Sequence, residues 1–208
     1  MERRIKEILA LTPSDEAVRA EGWVRTRRDS KNVSFIEIND GSCLKGLQAV
    51  LDRAIFSDED LEEVATGASV AVIGRIVASQ GGQSVEMQAE SLEVIGPCPQ
   101  DYPLQKKRHT VEFLREKAYL RPRTNLFGAV TRVRNTMAYA VHSFFQENGF
   151  IYVNTPLISA SDCEGAGAQF QVTTLDLANV PKTEDGKVDY AKDFFGKMAN
   201  LTVSGQLE

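Results

Sequence analysis

Val33-Ser-Phe-Ile-Glu-Ile-Asn-Asp-Gly41 decides how the first half of the chain is read. Its first six residues are mostly β-branched or aromatic, which suits a pleated strand, and Asn39-Asp-Gly41 follows with turn chemistry. On the upstream side, Val18-Arg-Ala-Glu-Gly-Trp-Val24 alternates before reaching Arg25 and reads as a preceding strand. Leu47-Gln-Ala-Val-Leu51 reads as a third. Ser57-Asp-Glu-Asp-Leu-Glu-Glu-Val64 then predicts a helix, with Ser57 as cap and carboxylates in the first turn, where the helix dipole favours them. Val70-Ala-Val-Ile-Gly-Arg-Ile-Val77 and Ser84-Val-Glu-Met-Gln-Ala89 complete five strands, and Gly81-Gly82 supplies a hairpin turn between the last two.

Five strands with one helix between the third and fourth is the order of an all-β OB-fold barrel; some other small β-barrel or sandwich fits the same pattern. Gly96-Pro-Cys-Pro99 breaks the regularity. Gln105 to Arg123 then carries Lys106, Lys107, Arg108, Arg115, Lys117, Arg121 and Arg123 against only Glu112 and Glu116. That stretch is either a solvated connector or a surface that meets phosphates. From Thr124 the period changes: Leu126, Val130, Val133, Met137, Val141 and Phe144 step by three or four, as in an amphipathic helix. Asn148-Gly149 ends it as a left-handed cap. Ile151-Tyr-Val-Asn-Thr-Pro156 reads as a strand that Pro156 must end or leave at an edge. Glu164-Gly-Ala-Gly-Ala168 is a second Gly-rich loop, and Pro181 to Lys192 is polar and turn-rich. Leu201-Thr-Val-Ser-Gly-Gln-Leu-Glu208 stops in what reads as a strand-turn unit, so truncation of a longer domain is expected. The organisation is thus a barrel over 1–100, a basic linker over 101–123, and the first part of an α/β domain over 124–208.

With 208 residues, 42% hydrophobic and 25% charged, the chain has ordinary globular composition and room for two small domains. No apolar run approaches a membrane span, and the start is not a secretory signal. Cys43, Cys98 and Cys163 have no metal or disulfide pattern and read as reduced thiols of a cytoplasmic protein. His109 and His142 have no partner at metal-ligand spacing, so no metal site is expected. The net charge of −5 argues against a general nucleic-acid coat. A local basic patch is compatible with it, because charges are screened beyond about 8 Å in the cell.

The candidate chemistry sits on neighbouring strands. Arg25, Arg27 and Arg28 end the first, Phe35 lies on the second, Gln48 on the third and Glu86 on the fifth. An aromatic ring on an open barrel face stacks a base, Gln both donates and accepts at a base edge, Glu accepts from exocyclic amines, and arginine neutralises phosphate. Each has a plainer account: Phe35 as core, Arg27-Arg28 as a solvated turn. No Walker sequence or G-x-G-x-x-G occurs, and two histidines support no nucleophile-base arrangement.

Taken together the segments resemble a known family. Gly22-Trp-Val-Arg-Thr-Arg-Arg-Asp29, Val33-Ser-Phe-Ile-Glu-Ile38, Gly46-Leu-Gln-Ala-Val50 and Val85-Glu-Met-Gln-Ala89 resemble the anticodon-binding domain of class IIb aminoacyl-tRNA synthetases. Phe145-Gln-Glu-Asn-Gly-Phe-Ile-Tyr-Val-Asn-Thr-Pro156 resembles their motif 1, and Ser161-Asp-Cys-Glu-Gly-Ala-Gly167 their amino-acid-closing loop. Thr173-Thr-Leu-Asp-Leu177, Lys192-Asp-Phe-Phe-Gly-Lys197 and Leu201-Thr-Val-Ser-Gly-Gln-Leu207 are similar to the bacterial asparaginyl enzymes; an aspartate-specific relative, or a non-catalytic OB-fold binder of single-stranded nucleic acid, is the alternative. The resemblance implies roles. Phe35 stacks on an anticodon base, Gln48 hydrogen-bonds one, Glu86 reads the first anticodon position and Arg28 holds the backbone. Glu164 receives the α-ammonium of asparagine, Gln206 lies against the amino acid, and Pro156 belongs to a homodimer interface. It also implies tRNA-Asn as partner, with ATP and Mg²⁺ as cofactors of the complete enzyme. The F-R-x-E arginine of motif 2 and the Gly-rich arginine of motif 3 do not occur in these 208 residues. An incomplete class II catalytic domain that binds anticodon without catalysing is therefore the expectation, since those arginines would carry much of the charge stabilisation.

Overall fold

A computed structural model describes residues 3–162, 165 and 169–206. Two compact units emerge, Met1–Ala138 and Tyr139–Glu208.

In the first unit a single helical turn, α1 (Ile5–Ile8), precedes five strands: β1 (Ser14–Asp29), β2 (Val33–Asn39), β3 (Leu47–Asp52), β4 (Ser69–Ala78) and β5 (Val85–Gly96). They close into a barrel in the order β1-β2-β3-β5-β4, with β3 and β5 parallel and the other neighbours antiparallel. The short helix α2 (Asp58–Leu61) lies between β3 and β4, where the OB-fold order requires it. Ser57 caps it: its hydroxyl accepts from Asp60 N–H at 3.2 Å, and the Asp60 carboxylate accepts from Ser57 N–H at 2.8 Å.

Strand parity places the core. Ser34, Ile36 and Ile38 point inward, together with Val24, Leu47, Ala49, Leu51, Val70, Val72, Ile76 and Met87, all buried. Ile5 and Ile8 of α1 join this core, and Ile5 N–H is anchored to the Asp40 carboxylate at 2.9 Å. From α2 and its flanks come Phe56, Leu61 and Val64. At Gly74, beside a register shift between β4 and β5, an added Cβ would meet the Gln88 carbonyl oxygen at 2.1 Å, so the close approach of the two strands needs glycine.

β1 starts four residues earlier and runs five residues further than the Val18–Val24 reading. β5 continues through Gly96 rather than stopping at Ala89. The early residues of β1 and the late ones of β5 form because both strands pair along β4, whose ladder reaches back to Ser69, whereas Thr26–Asp29 of β1 pair with β2. The basic stretch is more structured than a plain linker: it contains α3 (Val111–Glu116), capped by Thr110, and a 3₁₀ turn at Arg121–Arg123.

The long helix α4 (Asn125–Glu147) begins in the first unit and ends in the second, as its apolar period predicts. Its stop is a Schellman arrangement. Gly149 has φ +81°, Phe150 N–H donates to Phe145 C=O at 3.0 Å, and Gly149 N–H donates to Gln146 C=O at 3.0 Å. The Phe145 and Phe150 rings meet edge-on at 5.3 Å, the apolar contact that accompanies this cap. Leu126, Val130, Val133, Met137, Val141 and Phe144 are all exposed, and no described residue of α4 is buried.

Beyond the cap, Ile151–Thr155 is not a strand, contrary to its β-branched composition. No described segment hydrogen-bonds alongside it, and Ile151 is 86% exposed. The paired residues come after Pro156, as β6 (Ile158–Ser159), which joins β7 (Gln171–Val172) and β8 (Ala199–Leu201) in an antiparallel sheet of order β6-β8-β7. Asp193, 7% exposed, staples this unit. Its carboxylate accepts from Thr174 N–H (2.9 Å), Thr173 Oγ1 (2.7 Å), Thr174 Oγ1 (3.0 Å) and Phe194 N–H (2.8 Å). Led by the Thr174 amide and then the Thr173 hydroxyl, these donors hold the carboxyl at a pKa of about 2. Among the described residues no helix is long and apolar enough to cross a membrane.

Candidate nucleic-acid interface

The parity that buries Ile36 and Ile38 turns Phe35 and Glu37 outward, so Phe35 is not core. Register then lines up outward-facing neighbours. Thr26 pairs with Glu37 and Glu37 with Gln48 in one row; Arg28 pairs with Phe35 in the next. These residues line a pocket of about 310 Å³, joined by Gln83 from the β4–β5 loop and Lys106 from the basic stretch. Arg28 stands over the Phe35 ring, its guanidinium carbon 5.6 Å from the centroid.

A hydrogen-bonded chain leads from the pocket wall to Glu86 and Ser79. Arg28 Nη2 donates to Gln48 Oε1 (3.3 Å), Gln48 Nε2 donates to Glu86 Oε2 (2.9 Å), and Ser79 Oγ donates to the same Glu86 oxygen (3.0 Å). The orientation of the Gln48 carboxamide follows from chemistry: a guanidinium only donates and a carboxylate only accepts, so the amide oxygen must face Arg28 and the nitrogen Glu86. Glu86 is 6% exposed and neither bond engages its Oε1. The four residues singled out from sequence, Arg28, Phe35, Gln48 and Glu86, are therefore brought together. A base entering the pocket would meet a π-face and an amide that donates and accepts, with the Glu86 carboxylate bonded to that amide at the pocket's edge.

The other two arginines lie elsewhere. Arg27 pairs with Asp29 at 2.9 Å and donates to the Leu61 and Val64 carbonyls, closing the end of α2. Arg25 reaches Asn125 Oδ1 at 3.0 Å. It lies in a larger groove of about 1420 Å³ between the barrel, the basic stretch and the start of α4. Lys106, Lys107, Arg108, Arg123 and Arg132 line that groove with Arg25, against the single carboxylate of Glu37. Arg123 stacks on Trp23 at 4.7 Å, and Arg132 donates to Gly41 C=O at 2.5 Å. This is the electrostatic profile of a surface that follows a phosphate backbone.

In the second unit Gln206 sits in the turn after β8, its N–H donating to Ser204 Oγ at 3.2 Å. Pro156 is exposed. Glu164 lies outside the described residues. Among the described residues no group of three or more His, Cys, Asp or Glu side chains is placed to hold a metal. Sequence reasoning missed Thr26, Glu37, Ser79 and Gln83. Glu37 and Thr26 follow from strand parity once Phe35 is known to face outward, whereas nothing local marks Ser79 or Gln83.

Residues 18–95 match the family model of the OB-fold nucleic acid binding domain, and residues 110–203 match the model of class II tRNA synthetases (D, K and N). Asparagine–tRNA ligase of Cytophaga hutchinsonii is 58% identical over 99% of this chain. The ligase of Desulfitobacterium hafniense is 55% identical over 98%. The chain belongs to the asparaginyl-tRNA synthetase family. It spans about 45% of the length of the family members it matches. The family fold is visible in solved structures as well. Asparaginyl-tRNA synthetase from Pyrococcus horikoshii, complexed with asparaginyl-adenylate, superposes over the whole chain and 44% of its own length, with TM-score 0.76 and 24% identity. The Entamoeba histolytica enzyme covers 96% of the chain and 43% of its own length, with TM-score 0.73 and 20% identity.

Proposed function

We propose that this chain is the anticodon-reading part of a cytoplasmic asparagine–tRNA ligase together with the opening of its catalytic domain. The observation that carries this reading is the pocket lined by Arg28, Phe35 and Gln48, with Glu86 hydrogen-bonded to Gln48 at its edge. Phe35 stacks on the central uridine of the anticodon. Gln48 offers a donor and an acceptor, which complement the N3–H and carbonyl edge of uracil. Glu86 accepts from the N1–H and exocyclic amine of guanine at the first position, through the oxygen that Gln48 and Ser79 leave open. Arg28 and Lys106 stand beside the phosphates of the same nucleotides, and the basic groove carries the duplex backbone below them.

The division into barrel (1–100), basic linker (101–123) and catalytic portion (124–208) follows this assignment of tasks. In the second unit Glu164 takes the α-ammonium of asparagine and Gln206 lies against the amino acid. A second copy of the chain covers the apolar stripe of α4, extended by Pro156, which makes the assembly a homodimer. The whole ligase uses ATP and Mg²⁺ to activate asparagine. The described residues do not fit that metal-nucleotide group: they hold no carboxylate cluster for magnesium and neither motif arginine, so no step through it is assigned to this chain.

Binding of the 208-residue chain to stem-loops carrying GUU, GUC and an unrelated triplet tests the anticodon reading. Preference for the first two supports it; equal affinity for all three overturns it. A salt titration on the same RNAs tests the groove: Lys107→Glu weakens all three equally and lowers the salt slope by about one ion.

A further inference from the structure

The β3–β5 parallel ladder is short. Its paired residues are Ala49 with Met87 and Val50 with Gln88, so the β3 backbone at Gly46 and Gln48 lies beyond the first pair of that ladder. Those two positions flank Leu47, which pairs with Ile38 of β2 on the other side. The groups that this pairing leaves free, Gly46 C=O and Gln48 N–H, consequently face the side on which the ladder with β5 would continue.

The side chain of Gln83 occupies it. Its Nε2 donates to Gly46 C=O at 3.1 Å, and its Oε1 accepts from Gln48 N–H at 3.4 Å. A neighbouring peptide unit in a parallel bridge centred on Leu47 would make the same two bonds, donating to the residue before and accepting from the residue after. The carboxamide thus imitates one further rung of the ladder. It does so from the β4–β5 loop, whose other end is tied by Ser79: Ser79 Oγ accepts from Gly81 N–H at 3.1 Å and donates to Glu86 at 3.0 Å. Gln83 is at the same time a wall of the 310 Å³ pocket.

We propose that Gln83 is a positioning residue for anticodon reading. Its carboxamide pins the loop to β3 and so fixes the separation between the Gln48 amide and the Glu86 carboxylate, on which selection of the first anticodon base depends. This rests on the function proposed above. Strand backbone alone does not set that separation, because the ladder joining β3 to β5 begins only at Ala49 and the two side chains belong to its unpaired end.

The test uses the full chain as wild type, Gln83→Ala and Gln83→Glu, with two readouts. Amide exchange at Gln48 reports the latch without RNA, and the affinity ratio between GUU and AUU stem-loops reports first-base selection. In Gln83→Ala the Gln48 amide exchanges about ten-fold faster, as expected where local opening replaces a hydrogen bond. The GUU:AUU ratio falls about five-fold, one net hydrogen bond's worth of positioning. Urea unfolding followed by Trp23 stays close to wild type. Gln83→Glu keeps the acceptor for Gln48 N–H but sets a carboxylate against Gly46 C=O, so amide protection is retained while the ratio falls. It also serves if the alanine variant folds poorly. Unchanged Gln48 exchange in Gln83→Ala overturns the latch whatever the RNA does. Loss of affinity for both RNAs in equal proportion overturns the positioning role. A wild-type ratio of one, with the latch intact by exchange, fails the anticodon reading itself.

Discussion

Phe35 and Ile36 are adjacent on β2, and their opposite parity makes them separable by mutation. Phe35→Ala removes an outward, half-buried ring under the Arg28 guanidinium at 5.6 Å that is not part of the core cluster, so no cavity opens inside the barrel. Ile36→Ala removes a side chain that is 1% exposed, and such core truncations cost about 2–5 kcal/mol. For RNA the order reverses. Loss of a base–aromatic stack is worth about 1–3 kcal/mol, roughly 5- to 150-fold in affinity. Phe35→Ala should therefore keep its urea midpoint near wild type, read by the single tryptophan Trp23, while its affinity for the GUU stem-loop falls by that factor. Phe35→Tyr, which retains the ring, should restore most of it. Fluorescence anisotropy at one fixed salt concentration measures the affinity, because phosphate contacts through Arg28, Lys106 and the basic groove make any affinity salt-dependent. The reasoning fails if Phe35→Ala binds GUU as tightly as wild type, or if its lost affinity is matched by lost stability.

Four further outcomes follow from the same geometry. Asp193 holds stability through a pKa lowered to about 2 from an ordinary carboxyl near 3.8, so that stability is fully present above the ordinary value and is lost as pH falls toward 2. Protection of the Thr174 and Phe194 amides in hydrogen exchange should fade across that window, and Asp193→Asn should remove the acid dependence; a flat profile in wild type would contradict the staple. Gly74→Ala should lower the unfolding free energy by about 1–3 kcal/mol, read as a lower urea midpoint, since its Cβ meets a backbone carbonyl that cannot move aside; an unchanged midpoint would show that β4 and β5 can separate there without cost. Sedimentation at high concentration should show self-association that Met137→Glu, in the middle of the exposed α4 stripe, abolishes, whereas a strictly monomeric wild type refutes the dimer proposal. Pyrophosphate exchange by the pure 208-residue chain should stay at background with asparagine and ATP, and measurable exchange would refute the incomplete catalytic assignment.

The barrel was legible because its strands carry their instructions locally: β-branched alternation, a capped acidic helix between the third and fourth strands, and a glycine hairpin. What composition did not carry was parity. Ile36-Glu-Ile38 with Phe35 just before it reads as nearly continuous apolar strand, and either face could have been the inner one. In the fold Ser34 points inward and donates to Asp29 at 2.7 Å, a polar contact that hydrophobic periodicity does not anticipate. Once Phe35 faces outward, Glu37 and Gln48 must share its face, so the middle of the site follows from pairing. Its edge does not. Gln48 and Glu86 are 38 positions apart and meet because β3 and β5 run parallel, a crossover whose register no local signal fixes.

The same distinction explains the error at Ile151–Thr155. β-branched residues favour extended backbone, but a strand also needs a partner for its N–H and C=O groups, and propensity is silent about partners. Pro156 removes one donor from the run, and β8 pairs with Ile158–Ser159 instead. At β5 the opposite happened. Glu90-Ser-Leu-Glu-Val-Ile-Gly96 looks too polar for a strand, yet it is one because β4 lies beside it over its whole length and Arg75 bonds Glu90 at 2.6 Å across the pair. Partner availability, rather than composition, sets where these strands begin and end. Gln83 is the case in which the two requirements separate completely: a loop side chain supplies the partner that the backbone of β5 does not, and it lines the pocket proposed to read the anticodon.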